Sequence, residues 1–306
     1  MTAGGDPQPP RRLTPMQPAR FADPDLEFPL TDAGIIALVQ DALDEDAADR
    51  DVTTLATVVA GHRARGRLVA RANGVVCGVP LALAAFRLLD PDVSIRVDAE
   101  DGTAVRAGDS VLFLSGRARG LLTAERTALN FLQRLSGIAS LTRQYVQAVS
   151  GTGVAIVDTR KTLPLWRALE KYAVRCGGGM NHRFGLADAV LVKDNHLAVS
   201  GGDLPEAVRR VRAFADPGTP VQVECDTVAQ VRAAVAAGVT SVLLDNMTPD
   251  ELRESVAIAR GHCATEASGG VTLATVAGIA ATGVDRISVG ALTHSAPALD
   301  LALDFE

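Results

Sequence analysis

Residues 221–247 read Val221-Gln222-Val223-Glu224-Cys225-Asp226-Thr227, then Val228-Ala229-Gln230-Val231-Arg232-Ala233-Ala234-Val235-Ala236-Ala237-Gly238-Val239-Thr240, then Ser241-Val242-Leu243-Leu244-Asp245-Asn246-Met247. A short apolar run, a helix-spaced segment over 228–237 and a second apolar run make one β-α-β unit. Each run ends in a carboxylate. The unit recurs on both sides. Further apolar runs are Val154-Ala155-Ile156-Val157, Ala189-Val190-Leu191-Val192, Ala264-Thr265 and Arg286-Ile287-Ser288-Val289, with helical segments over 204–215, 248–260 and 273–282. Alternating β and α elements imply parallel strands, and about six such units predict a barrel-like α/β domain. Six is short of the usual eight, so closure is expected to be incomplete.

The preceding half follows a different pattern. Residues 1–28 hold Pro7, Pro9, Pro10, Pro15, Pro18 and Pro24 among Gly, Gln and Arg, and are read as a disordered tail. Thr31-Asp32 can cap a helix carrying Ile35, Ile36, Leu38, Val39 and Leu43 on one face. An acidic stretch then ends in Asp51-Val52-Thr53-Thr54, followed by strand-like runs at 66–72, 75–79, 93–97 and 110–115 and a long helix over 121–149. The expected organisation is an α+β domain at 29–150, a barrel domain at 151–292 and a C-terminal segment at 293–306 that packs back on the first domain.

A net charge of −6 argues against a general nucleic-acid surface, which needs an excess of Lys and Arg. The four cysteines form no C-x-x-C pair and read as reduced, buried thiols. No apolar run approaches the roughly 18 residues of a membrane span, and the N-terminus lacks a signal-peptide core, so the expected location is cytoplasmic.

Ligands of α/β barrels bind beyond the carboxyl ends of the strands, so the strand exits carry the functional information. The first two exits and the segment between them, 158–196, hold seven Lys or Arg (Arg160, Lys161, Arg167, Lys171, Arg175, Arg183, Lys193) against four acids (Asp158, Glu170, Asp188, Asp194). The next two exits offer Glu224 and Asp245; the last two offer Ser268-Gly269-Gly270 and Ser288-Val289-Gly290-Ala291. Such sorting suits a ligand that is anionic at one end, hydroxylated in the middle and phosphorylated at the other. Arg160 and Arg183 can grip carboxylates with paired hydrogen bonds, while Lys161 and Lys193 supply point charges for phosphate. Glu224 and Asp245 could accept from sugar hydroxyls, hold Mg2+, or simply cap helices. The Gly-rich exits could cradle phosphate or only make tight turns at positive φ. The Gly177-Gly178-Gly179 run reads as a hinge that lets Asn181, His182 and Arg183 close over a ligand.

The chain resembles the quinolinate phosphoribosyltransferase family from Thr31 to its C-terminus. The resemblance rests on Asp51 to Thr54, Glu125 to Leu132, Asp158-Thr159-Arg160-Lys161-Thr162, Gly177 to Arg183, Val192 to His196, Val223-Glu224, Leu244-Asp245-Asn246, Glu266 to Gly270 and Ser288-Val289-Gly290. It implies an N-terminal α/β sandwich domain followed by an open, six-stranded α/β barrel. It also implies a homodimer in which Arg126 reaches the partner's site. The implied reaction joins quinolinate and phosphoribosyl pyrophosphate, with Mg2+, to give nicotinate mononucleotide, pyrophosphate and CO2. Under it Arg126, Thr159, Arg160, Lys161, His182 and Arg183 surround quinolinate. Lys193, Glu224 and Asp245 serve phosphoribosyl pyrophosphate and the metal, and residues 268–270 and 288–291 take the 5′-phosphate. Two other classes fit part of the pattern: a Schiff-base lyase using Lys193, and a non-enzymatic anion-binding module. Within the family, a nicotinate-using enzyme is the near alternative. The basic set, large enough for two carboxylates, favours quinolinate.

Overall fold

The computed structural model describes residues 26–306. The tail expected at 1–28 therefore lies outside the described residues, except for its last three. Of these, Leu26 and Phe28 pack against the core, and the Phe28 ring meets Tyr172 edge-on at 5.0 Å. The packed chain thus begins before the expected boundary, because two large apolar side chains find a place to be buried.

The first half contains α1 (Asp32–Glu45), α2 (Val52–Thr57), β1 (Arg63–Ala70), β2 (Gly74–Val75), α3 (Val79–Leu89), β3 (Ser94–Val97), β4 (Ala104–Val105), β5 (Ser110–Arg117) and α4 (Ala118–Ala148). Thr31 caps α1 by accepting from Gly34 N–H, and Asp51 caps α2 by accepting from Thr54 N–H. The antiparallel sheet β3-β5-β1 is covered on one face by α3 and α4, with Leu68, Leu112, Leu114, Phe86, Leu121 and Leu132 fully buried between. This is a two-layer α/β sandwich. The run 75–79 is not the expected strand. Only Gly74 and Val75 pair, with β4, and Gly78 at φ 101° turns the chain into α3, whose first turn holds Pro80.

The second half contains β6 (Ala155–Val157), α5 (Arg167–Cys176), β7 (Val190–Val192), α6 (Asp194–Ser200), α7 (Leu204–Phe214), β8 (Val221–Cys225), α8 (Val228–Ala236), β9 (Ser241–Asp245), α9 (Pro249–Ala259), β10 (Ala264–Ser268), α10 (Val276–Ala280), β11 (Arg286–Ser288), α11 (Ala291–His294) and β12 (Leu301–Phe305). Six strands form one sheet in the order β6-β11-β10-β9-β8-β7, every neighbour parallel. β6 and β7 do not pair, so the barrel is open there. The loop carrying Met180 enters that gap and makes a single bridge with Val157. β12 leaves the barrel and pairs antiparallel with β1, Gly66 opposite Phe305 through Ala70 opposite Leu301, so the C-terminal segment ends on the N-terminal sheet.

α4, 31 residues long, is the spine shared by both halves. The glycines of 177–179 serve this packing. A Cβ at Gly177 would lie 2.4 Å from Ala139 O of α4, and one at Gly179 would lie 2.8 Å from Thr142 Cγ2. Close approach, rather than a hinge, requires glycine at both positions. Cys77, Cys176 and Asp101 meet where the halves join, all buried. Asp101 accepts from Val79 N–H and Tyr172 Oη–H, and burial pushes the Cys77 thiol up. All four cysteines are free, three of them buried and Cys263 half-buried. No helix among the described residues is long and apolar enough to cross a membrane.

Candidate active site

A cavity of about 790 Å³ opens at the carboxyl ends of the six strands. Side chains alternate across a strand, so Val221, Val223 and Cys225 face the outer helices while Gln222 and Glu224 face inward. The same alternation turns Leu243 and Asp245, Glu266 and Ser268, and Ser288 and Gly290 toward the cavity. All the residues singled out at strand exits line it: Thr159, Arg160, Lys161, His182, Arg183, Lys193, Glu224, Asp245, Ser268 to Gly270 and Ser288 to Ala291. Arg126 does not. It is exposed on α4, outside the cavity.

The cations are not equivalent. Lys171 is buried and spent on Asp158, which also accepts from His182 N–H (2.8 Å) and Asn181 Nδ2 (2.7 Å). Burial raises the Asp158 carboxyl despite these partners. This pair fixes the 181–183 loop to the first strand exit and leaves the ligand space to others. Arg160 and Arg183, by contrast, both line the cavity, close enough for the charge of one to act on the other. Arg183 donates to Ala189 O (3.0 Å), and burial, then the charge of Arg160, pushes its guanidinium down. Arg160 Nε is buried with no acceptor. Two like-charged guanidinium groups, one with an orphaned donor, are balanced only in part, by the charge of Asp188 on Arg183. Such an arrangement is costly unless an anion supplies the missing acceptors.

At the middle of the mouth Lys193 Nζ pairs with Glu224 Oε2 at 3.0 Å, and Asn246 Nδ2 donates to Asp245 Oδ2 at 2.6 Å. Neither carboxylate caps a helix. Thr227 and Thr248 cap α8 and α9 through complete capping boxes, which removes the capping explanation for Glu224 and Asp245. At the far end Gly269 and Gly270 have φ of 91° and 58°, and a Cβ at Gly269 would lie 2.2 Å from Asn246 Oδ1. The tight-turn reading thus holds there, since α10 starts only at Val276, whereas the 288–290 exit leads directly into α11.

Four polar wall residues carried no expectation as site groups, Asn246, Glu266, Thr272 and His294, and neither did Gln222, which is buried behind the wall beside Glu266. Gln222 donates from Nε2 to Glu266 Oε2 at 3.1 Å, and Glu266 Oε1 lies 3.5 Å from His182 Nε2. A signal existed for two of them: Gln222 and Glu266 are polar residues inside otherwise apolar strands, on the face shared with Glu224 and Ser268.

Comparison with known proteins agrees with this geometry. Residues 51–136 match the quinolinate phosphoribosyl transferase N-terminal domain model, and residues 138–304 match the C-terminal domain model. The nicotinate-nucleotide pyrophosphorylase [carboxylating] of Mycobacterium leprae is 46% identical over 272 residues, covering 87% of this chain and 95% of that protein. The probable enzyme of the same name from Bacillus subtilis is 41% identical over 260 residues, covering 85% and 89%. The structure of the nicotinate-nucleotide pyrophosphorylase from Francisella tularensis superposes with a TM-score of 0.85 at 37% identity, covering 92% of this chain and 99% of that one. Human nicotinic acid phosphoribosyltransferase, at 13% identity and a TM-score of 0.50, shares the fold alone. With both domain models matched in order over nearly all the described chain, the protein belongs to the quinolinate phosphoribosyl transferase family.

Proposed function

We propose that the cavity over the parallel strands is where this chain carries out its family's reaction. The chain transfers the phosphoribosyl group of phosphoribosyl pyrophosphate to quinolinate with loss of CO2, giving nicotinate mononucleotide for NAD synthesis. The observation that carries the site assignment is the like-charged pair Arg160 and Arg183 in the cavity wall, with the unpartnered Arg160 Nε. A ring with two adjacent carboxylates supplies acceptors to both guanidinium groups at once. Nicotinate, with one carboxylate, would leave one of them unmatched.

In this reading Arg160, Arg183 and Lys161 hold the two carboxylates, with Thr159 and His182 in the same wall. Gripping the ring at two points presents its nitrogen to the sugar's anomeric carbon and removes most of the entropy cost of joining two reactants. Glu224 and Asp245 lie across the cavity, where negative charge stabilises an oxocarbenium-like sugar. Lys193 serves the leaving pyrophosphate, and the Gly269-Gly270 turn and the 288–291 exit take the 5′-phosphate. Once the ring nitrogen carries the sugar it is cationic. The C–CO2 bond at the neighbouring carbon then breaks, its electron pair stays on that carbon, and a proton replaces CO2. No dedicated base is needed for this step.

Glu224 and Asp245 end neighbouring strands and offer hard oxygen donors, which fit Mg2+. With only two carboxylates from the chain, such an ion depends on diphosphate oxygens and water for its other ligands. When bound it supplies positive charge to the departing pyrophosphate. A homodimer belongs to the same reading. Arg126 can serve a site only by reaching another subunit's cavity, and the exposed Leu163, Leu165, Met180, Phe184 and Leu186 flank the basic exits, an apolar surface that a second copy would cover. Free cysteines fit a reducing, cytoplasmic setting.

The direct test incubates the purified protein with quinolinate, phosphoribosyl pyrophosphate and Mg2+ and measures nicotinate mononucleotide and CO2. Equimolar appearance of both is expected. Product from nicotinate at a comparable rate, without CO2, would overturn the choice of substrate.

A further inference from the structure

Helix α4 reaches the loop after β6, which carries Arg160 and Lys161, from behind. Arg134 Nη2 donates to Glu170 Oε1 and to Thr293 O, and Nη1 reaches Ala296 O at 3.4 Å. The second oxygen of Glu170 accepts from Leu163 N–H at 3.1 Å, and Thr293 Oγ1 donates to Lys161 O at 2.7 Å. These bonds close a ring. Arg134 holds Glu170 and Thr293, and those two hold the backbone on either side of Thr162. Glu170 and Thr293 are both fully buried. One turn earlier on α4, Phe131 stacks on Trp166 of the same loop, with centroids 5.5 Å apart and planes 16° from parallel.

The loop so held is otherwise largely exposed. Lys161, Leu163, Pro164 and Leu165 face solvent, and Leu165 is fully exposed at φ 66°. A further tie, from Arg167 Nε to Thr162 Oγ1 at 3.0 Å, comes from the first turn of α5. We propose that Arg134 is a positioning residue: through Glu170 and Thr293 it holds residues 161–163, and with them the side chains of Arg160 and Lys161. The inference rests on the reading above in which Arg160 and Lys161 grip quinolinate. A guanidinium suits the task because its planar fork serves carboxylate and carbonyl acceptors together. Neither Arg134, Glu170 nor Thr293 lines the cavity, so their effect on a substrate passes through the loop.

The ring contributes order in advance of binding. A loop that is ordered only when the ligand arrives subtracts that entropy from affinity, and fixing the backbone of one residue lowers affinity roughly tenfold. The Arg134–Glu170 pair is a poor source of stability in itself, because both charges lose water on burial. A pair that only holds α4 against α5 could be exchanged for apolar side chains with no effect on either substrate. A pair that places the loop could not.

The test is that exchange, Arg134→Met together with Glu170→Leu in the whole enzyme, which removes both charges at once and leaves neither unpaired. The double variant should melt close to wild type. Its quinolinate KM should rise roughly tenfold, while the KM for phosphoribosyl pyrophosphate stays within about twofold. Trp166 is the single tryptophan of the chain, so acrylamide quenching of its fluorescence reads the loop directly and should increase. Thr293→Val cuts the bond to Lys161 O and should raise the quinolinate KM roughly threefold, which carries the test should the double variant fail to fold. An unchanged quinolinate KM, an equal rise in both KM values, or a rise with Trp166 no more accessible than before would overturn the proposal. Arg160→Met separates it from the reading on which it rests. If that variant keeps the wild-type quinolinate KM, the site reading fails. If it raises that KM while the ring variants do not, Arg134 alone loses its role.

Discussion

Replacing Arg160 by Met should leave the free protein as stable as before, or more so, while nearly abolishing its hold on quinolinate. In the unliganded chain Arg160 Nε is buried without an acceptor, and Arg183 presents a second positive charge to it. An unsatisfied buried donor costs about 1–3 kcal/mol, and the like charge adds to that. Met keeps the apolar stem and removes both penalties, so unfolding should become harder by up to about 1–2 kcal/mol. The bound state reverses the sign. Hydrogen bonds to a charged group contribute roughly 1.5–3 kcal/mol each, and a guanidinium gripping a carboxylate makes two. Their loss is worth at least about 3 kcal/mol, on the order of a hundredfold in the quinolinate KM. Thermal unfolding with and without quinolinate reads both effects, since a ligand raises the melting temperature only as far as it binds. Wild type should gain strongly from quinolinate and Arg160→Met hardly at all, although the free variant melts no earlier. A variant destabilised by more than about 1 kcal/mol, with its quinolinate KM within about threefold of wild type, would falsify the account of Arg160 as an anion receptor.

Arg126→Ala and Arg160→Ala should each be nearly inactive, yet an equal mixture after subunit exchange should regain roughly a quarter of wild-type activity. Half of the dimers are then mixed, each with one intact site. No recovery despite confirmed exchange would count against a shared site. Gly177→Ala should lower the melting temperature, by about 1–3 kcal/mol of overpacking, because the new methyl meets Ala139 O of α4 at 2.4 Å. A fall in kcat at unchanged melting temperature would instead point to a hinge. Glu224→Gln should reduce kcat by about a hundredfold or more and raise the Mg2+ concentration needed for half-maximal rate. Its quinolinate KM should change little, and a selective loss of quinolinate binding would contradict the division of the cavity.

The strand exits were legible because a parallel strand ends abruptly. An apolar run such as Val242 to Leu244 gives way to Asp245, and that polar residue, on the inward face at the strand's end, is the one that reaches the cavity. Helix α3 was not legible. It is apolar nearly all round, with Val79, Leu81, Ala82, Ala85 and Phe86 buried, so no amphipathic period marks it, and Val75 to Val79 looks like a strand. Strand β12 escaped for another reason: its five residues acquire strand geometry only by pairing with β1, far away in sequence. The local excess of basic residues over 158–196 overstated the site. Lys171 answers Asp158, and buried Glu170 answers Arg134 of α4, so part of that charge is structural. Arg126 is the converse case: it lies exposed on α4 outside the cavity, and nothing in the described chain brings it to the strand exits.

The missing barrel strands have a use in this site. In a closed barrel, strands would occupy the place between β6 and β7, and the mouth would be ringed only by loops leaving strand ends. Here the gap admits the 180–183 segment at the level of the first strand exit. Met180 N–H donates to Ile156 O, and Asp158 N–H to Met180 O. The chain is therefore held like a strand for one residue and then released, and the next three residues, Asn181, His182 and Arg183, turn toward the basic wall. Asn181 and the His182 backbone tie back to Asp158, while the His182 ring ties across to Gln222 of β8. The segment that carries Arg183 is thereby fixed from both edges of the opening, and the Arg183 guanidinium donates to Ala189 O. Two like charges can be held in one cavity wall only by a scaffold that constrains each from behind. An open barrel with a segment pinned into its gap provides that constraint, and it does so at the basic end of the cavity.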